Sequence, residues 1–310
     1  MLPDRRRAVT TALCLGVLYT VWGSTYLAQR LAIASFPPLF MAGIRFVAAG
    51  IPLYVVLRLR GAAKPTWTEL RAAALAALPL LVFGMGGAAV ALQRVPTGLA
   101  ALVFGSVPLW TSLFDWLCGG KIRRVEIAGL VLGLMGVLVV SMRGALRADP
   151  LGAVMIVAAA ASYAFGSVAT RRLKLPAGVL GTAAQMTAGG AMLLVASVVR
   201  GERLVAPSGG SIAALVYLVV VGSMLAYSAF GYLLRNTRPA LATSYAYVNP
   251  IVALALGVAL AGERVTRADL VGLALVLGAV AMVALGSRGE GERARSAAVR
   301  ACPEEAAGHP

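Results

Sequence analysis

The sequence predicts an all-α polytopic membrane protein of ten transmembrane helices, arranged as two five-helix inverted repeats, and three observations carry that prediction. The chain of 310 residues is 60% hydrophobic and only 13% charged, with a mean hydropathy of +0.85. One water-soluble globule cannot bury so much apolar surface. The apolar runs, cut at Gly, Pro and Arg clusters, are each about 20 residues long, which is what a hydrocarbon core of roughly 30 Å requires of a helix. Finally, the first half of the chain is echoed in the second at a nearly constant offset.

The runs fall at 10–29, 36–57, 72–92, 97–117, 125–142, 151–170, 178–199, 211–234, 240–261 and 268–286. Span 1 follows Arg5-Arg6-Arg7 as a signal peptide would, but it exceeds an h-region and lacks a small-residue cleavage site, so it belongs to the mature chain. What remains is a tail at 1–9, a connection at 143–150 and a tail at 287–310. The last is rich in Arg, Glu, Ala and Gly and is expected to be disordered.

The echo sets the internal organisation. Trp22-Gly23-Ser24 in span 1 matches Phe165-Gly166-Ser167 in span 6 at an offset of 143, and Pro108 in span 4 matches Pro250 in span 9 at 142. Gly119, Glu126 and Gly129 match Gly262, Asp269 and Gly272, again at 143. One five-helix unit is therefore expected at 10–142 and a second at 151–286. Five is odd, so the second unit enters the membrane from the opposite side. Such halves are a hallmark of secondary transporters, whose site lies near the midplane where the halves meet.

A formal net charge of +16 would suggest nucleic acid in a soluble domain. The positions of the cations give another reading. With the N-terminus in the cytoplasm, 19 Lys and Arg fall on inside segments and 8 on outside segments, with Arg45 inside a span. That bias follows the positive-inside rule and places both termini in the cytoplasm. No basic patch is interleaved with stacking aromatics, so nucleic acid is not an expected partner. Cys14, Cys118 and Cys302 form no metal or disulfide framework, and no cofactor is expected.

Pro108 and Pro250 lack a backbone N–H and should each kink a helix or free a carbonyl one turn earlier. A freed carbonyl is tolerated at membrane depth only against protein or a water-lined cavity. Spans 4 and 9 are thus expected to line a central path as gating elements, with Asn249 satisfying the loosened backbone. A static packing kink is the alternative.

The segments VWGSTYLA, PPLFMAGIRFVAAG and VPTGLAALVFGSVPLW, together with YLLRNTRPALATSYAYVNPIVALALGVALAGERVTRADLVGLALVLGAV, resemble the EamA family of the drug/metabolite transporter superfamily. The likeness covers 11–286. It implies a ten-helix inverted-repeat fold and a cavity built from spans 1, 3, 4, 6, 8 and 9 with 2 and 7. It also implies export of small metabolites or drugs across a bacterial inner membrane. The family often places Glu after Gly at the end of the fourth helix of each unit. Glu263 follows that pattern, whereas the first half has Gly120, so the halves are not interchangeable.

An ionisable group at membrane depth is a functional candidate, because its burial costs about 2.5 to 3.5 kcal/mol on insertion scales. Asp115, two turns beyond Pro108, is expected to couple export to protons. The alternative is an interfacial carboxylate paired with Lys121 or Arg124. Arg45 is read either as a bidentate partner for a substrate carboxylate or as a brace between helices. Gln185 is its counterpart in the second unit. Trp22, Trp110, Tyr163, Phe165, Tyr227 and Tyr245 lie on the spans expected to line the path, where aromatic walls suit hydrophobic or cationic solutes. Ser24 is placed on that path too, although Gly-Ser pairs also permit close helix approach. Glu263 is expected at an outer gate with Arg264 or Arg267, and Thr266 to Asp269 reads as a capping box.

The only histidine is His309, in the tail, and a lone in-span aspartate makes no dyad, so the protease chemistries that use these groups are excluded. No phosphate-binding G-x-x-x-x-G-K-[ST] loop occurs either. The expected protein is not an enzyme but a secondary transporter, with a small-molecule substrate and the lipid bilayer as partners. An uptake permease or passive facilitator remains the alternative, and the residues leave monomer or homodimer open.

Overall fold

A computed structural model describes residues 2–120, 124–143, 149–236 and 245–282, and all regular structure among them is helical. Ten helical runs follow in order. Helix α1 comprises Leu2–Val17, a π-helical segment Leu18–Trp22 and Gly23–Ala32. Helix α2 is Pro38–Leu59. Helix α3 comprises Trp67–Ala77, a π-helical segment Leu78–Gly86 and Gly87–Ala91. Helix α4 is broken at Ser106 into Thr97–Gly105 and Val107–Leu117. Then come α5 at Arg124–Arg143, α6 at Pro150–Arg172 and α7 at Val179–Val199. Helix α8 comprises Gly209–Tyr217, a π-helical segment Leu218–Leu225 and Ala226–Asn236. Helix α9 is Tyr245–Ala261 and α10 is 267–282.

Seven of these, α1 to α4 and α6 to α8, are long and apolar enough to cross a membrane. The described part of α9 is 17 residues, and α5 carries arginine at both ends. Helix α1 starts at Leu2, inside the segment expected as a tail, so the charged turn at Asp4 to Arg7 continues the helix beyond the apolar stretch. The carboxyl-terminal tail, most of the connection at 143–150, Lys121 and the side chain of Tyr247 lie outside the described residues.

Local chemistry explains the helix ends. Thr66 and Glu69 form a reciprocal capping box at the start of α3, and Thr266 with Asp269 does the same for α10, as the sequence predicts. Asp149 accepts from the Gly152 N–H at the start of α6, which, together with Arg94, holds its carboxyl below the usual range. Helices α2, α4, α7 and α9 are each followed by a glycine at positive φ, Gly61, Gly119, Gly201 and Gly262, the left-handed stop that only glycine takes without strain.

Packing pairs α2 with α7, α3 with α6, and the first part of α4 with α9, while α1 lies against α8 and α9. The second part of α4 rests on α6. Glycines bring these backbones together, the main means of helix association in lipid. A Cβ on Gly50 would stand 2.7 Å from Thr187 of α7, and one on Gly98 would stand 2.6 Å from Leu254 of α9. Gly23 and Gly166 serve the same purpose against Val252 and Leu80, which is the close-approach reading of the Gly-Ser pairs.

Two large clusters fill the bundle. One joins α3, α4 and α6 through Leu92, Leu99, Val103 and Ile156. The other joins α1, α2, α3, α7 and α8 through Ala32, Phe46, Leu81, Leu193 and Leu218. Both concentrate toward the face that carries the ends of α1, α3, α7 and α9, here the distal face. The opposite, N-terminal face begins at Arg7.

Candidate functional site

A cavity of about 130 Å³ opens where α1, α2, α3, α4, α6, α8 and α9 meet. The broken region of α4 contributes Gly105, Val107 and Pro108, and α9 contributes Tyr245, Asn249 and Pro250. The broken helix α4 and α9, which runs unbroken through Pro250, thus meet at the cavity, where loosened backbone is tolerated. Pro250 packs against Gly105, at whose position a Cβ would stand 3.0 Å from the ring.

Aromatic side chains form two flanks. Trp22 meets Tyr227 at 5.4 Å and Tyr245 at 4.5 Å, both edge-to-face, with Phe230 behind them. On the other side Phe104 lies between Tyr26 at 6.1 Å and Tyr163 at 5.9 Å. Edge-to-face contacts of this kind fix ring orientation and leave a shaped apolar wall.

Arg45 is the one charged side chain of the lining. It is 4% exposed, donates through Nε to Ser223 Oγ at 3.1 Å, and stands 5.2 Å from the Phe46 ring centre. Ser223 is fully buried in the π-helical segment of α8. Tyr26, Tyr163 and Tyr227 are its electrostatic neighbours. Among the described residues no carboxylate pairs with it. A buried guanidinium with its outer N–H groups toward a cavity is a receptor for an oxyanion.

The structure brings together Trp22, Arg45, Pro108, Tyr163, Tyr227, Tyr245, Asn249 and Pro250, and it places the remaining candidates elsewhere. Ser24 bonds the Tyr217 hydroxyl at 2.6 Å, away from the cavity, and Gln185 donates to Thr170 at 2.8 Å between α7 and α6. Phe165 is 43% exposed, and with Trp110 and Phe114 it makes a separate aromatic cluster. The Trp110 Nε1 and the Asn249 Oδ1 are both buried without a hydrogen-bond partner.

Asp115 is also outside the lining. It is about half exposed and pairs with Arg172 at 3.1 Å, and Arg172 also bonds the Asp115 and Cys118 carbonyls at the end of α4. An interfacial pair therefore exists with Arg172, while Lys121 lies outside the described residues. Glu263 engages neither Arg264 nor Arg267 among the described contacts. Its carboxylate accepts from the Thr97 N–H at 2.7 Å, the Thr97 hydroxyl at 2.9 Å and the Gly98 N–H at 3.2 Å. A carboxylate from beyond α9 thereby caps α4 and answers the positive end of its dipole.

Sequence reasoning missed Glu202, which caps α2 in the same manner by accepting from Leu39 and Phe40. The signal was present, since Gly201-Glu202 after α7 repeats as Gly262-Glu263 after α9. Tyr26, Phe104, Met85 and Ser223 were missed as well. Tyr26 lies one turn from Trp22 and shares its face.

A polytopic helical bundle around a small aromatic cavity with one buried cation defines the class of membrane transport proteins. The chain belongs to the EamA-like transporter family, whose profile matches residues 10–142 and again 150–285. It is 46% identical over 274 residues to "Uncharacterized inner membrane transporter YedA" of Escherichia coli strain K12, covering 88% of this chain and 90% of that one. A "Probable amino-acid metabolite efflux pump" of Salmonella typhimurium is 24% identical over 290 residues, covering 88% and 94%. A crystal structure matches with a TM-score of 0.64 at 22% identity, over 90% of this chain and 98% of its own, which supports the fold.

Proposed function

We propose that this protein is a secondary active transporter that exports small metabolites across the inner membrane by alternating access between two inverted five-helix repeats. The carrying observation is the buried, carboxylate-free Arg45 in the aromatic cavity where the two proline-bearing helices meet. The repeat reading is supported by the packing. Exchanging helices 1–5 with 6–10 turns the α3·α6 pair into α8·α1 and α4·α6 into α9·α1, while α2·α7 and α4·α9 map onto themselves. The π-helical segments of α3 and α8 fall at corresponding places, and the family profile matches twice.

In this reading α4 and α9 are the moving elements, flexing at Pro108 and Pro250, and Glu263 with Glu202 forms the distal gate. The distal face is tied across helices by Arg30 to the Leu92 and Val95 carbonyls, by Arg94 to Asp149 and by Ser211 to the Leu31 carbonyl. On the N-terminal face the tie is Arg172 to the end of α4. These distal ties, set against the single tie among the described residues of the N-terminal face, support reading the distal side as the closed one; loading from the N-terminal face, which the arginine bias assigns to the cytoplasm, suits export. Proton coupling through Asp115 draws no support from its place in an exposed ion pair, which fits the interfacial role.

The name of the Salmonella relative makes carboxylate-bearing metabolites the first solutes to test. Purified protein in liposomes should exchange such a solute, and Arg45→Gln should lower kcat/KM by about a hundredfold, the scale of losing one partner of a buried charge pair. Unaltered exchange in that variant would remove the cavity from the transport path.

A further inference from the structure

The charges of the cavity specify more than a binding partner. Of the twelve acidic residues, Asp115 alone falls inside an apolar span away from its start, Glu126 and Asp269 sitting in the first turns of α5 and α10, and it faces Arg172 rather than the cavity. Glu69, Asp149, Glu202, Glu263 and Asp269 serve helix starts. Around Arg45 the ionisable neighbours on α1, α6, α8 and α9 are Tyr26, Tyr163, Tyr227 and Tyr245, and the single histidine is in the tail. The lining therefore holds a fixed positive charge and no carboxylate or imidazole to exchange a proton for substrate. No acid is there to receive an ammonium group either.

Resting on the transport reading but replacing ion coupling by electrogenic uniport, we propose that the cavity takes a molecule of net negative charge, and that the membrane potential drives its export by drawing the empty, Arg45-positive site back to the loading side. The loaded cavity is neutral, since the substrate oxyanion meets the guanidinium, so its reorientation is indifferent to voltage. The empty cavity carries Arg45 alone, and access to one side or the other places that charge at that side's potential. An inside-negative membrane favours the inward-accessible empty state, and each cycle moves one negative charge outward. A monovalent ion then reaches a steady gradient of about tenfold per 59 mV. Ser223 is the positioning residue, because its hydroxyl holds Nε and leaves the outer N–H pair of the guanidinium for the substrate.

Three radiolabelled probes test this in liposomes containing the full chain: hippurate, an aromatic carboxylate without an ammonium group; phenylalanine, its zwitterionic relative; and phenyltrimethylammonium, a permanent cation. A potential of about −120 mV is set by a potassium gradient with valinomycin. Net hippurate efflux should rise at least fivefold at that potential. Hippurate–hippurate exchange should stay within about twofold, and a pH step of one unit should change neither. Arg45→Gln should abolish saturable hippurate flux. If that variant does not fold, Ser223→Ala should raise the hippurate KM several-fold with voltage dependence kept, and Ser223→Thr should restore it. Hippurate efflux that ignores voltage or follows the pH step overturns the proposal, as does faster movement of phenylalanine or phenyltrimethylammonium. Exchange of none of the three probes overturns the transport reading itself, and this inference with it.

Discussion

On the distal face, α7 and α9 each end in a glycine at positive φ followed by a carboxylate, Glu202 and Glu263, and each carboxylate accepts from the first free N–H groups of a partner helix. On the N-terminal face, α2 and α4 end in the same kind of glycine, but Gly61 is followed by Ala62 and Gly119 by Gly120. The four helices stop by one device and are fastened by another that only half of them possess. Charge-assisted bonds to a helix start are directional and strong for their size. Among the described residues such bonds from one helix to the start of another occur on the distal face, and in the transport reading they give the bundle a preferred closed side: backbone chemistry is shared by the two faces, and side-chain chemistry distinguishes them.

The largest effect on that comparison should come from Glu263→Ala, which leaves two N–H groups and a hydroxyl without their acceptor. A loss of about 1 to 3 kcal/mol in the latched state is about 5- to 150-fold in the closed-to-open ratio. Labelling of a cavity cysteine from the distal side should accelerate to match. Gly257→Ala should act on the same latch while keeping the carboxylate in the chain, since its Cβ would press against the Glu263 carboxylate and stand 3.0 Å from the Thr97 hydroxyl. A destabilisation of about 1 to 3 kcal/mol is expected in thermal unfolding, with distal labelling again faster.

Glu202→Ala should be milder, about 1 kcal/mol, because it removes one helix cap and the bond from Ser197 while the α2·α7 glycine contacts remain. The smallest effect should be that of Asp115→Asn. An exposed ion pair contributes about 0 to 1 kcal/mol, so transport should change by less than about fivefold. A complete loss of flux in that variant would restore Asp115 to the transport path.

Much of this was legible in the sequence because membrane spans are written in length and polarity. The ten apolar runs mark the helices, Pro108 lies beside the break in α4 whereas α9 continues through Pro250, and Arg45 is conspicuous as a cation inside a run. The faces were harder to read. At 3.6 residues per turn, positions two apart point nearly opposite ways. Tyr163 therefore lines the cavity while Phe165 turns outward, and Trp22 lines it while Ser24 turns to Tyr217. Pro108 and Trp110 divide in the same manner. The π-helical segments shift the register further, and they carry no residue signature that foretells Ser223 beside Arg45. Glu263 was legible as a candidate after α9, but its partner, the start of α4, was not, because a backbone N–H leaves no mark in a sequence.

The most direct test replaces Cys14, Cys118 and Cys302 by serine and places one cysteine at Ala101, on the cavity wall. A membrane-impermeant thiol reagent is then applied from each side in turn. The account predicts reaction from the N-terminal face in the resting protein, with reaction from the distal face only after substrate is supplied or Glu263 is removed. Equal labelling from both faces, or labelling from the distal face alone with the carboxylates intact, would contradict it.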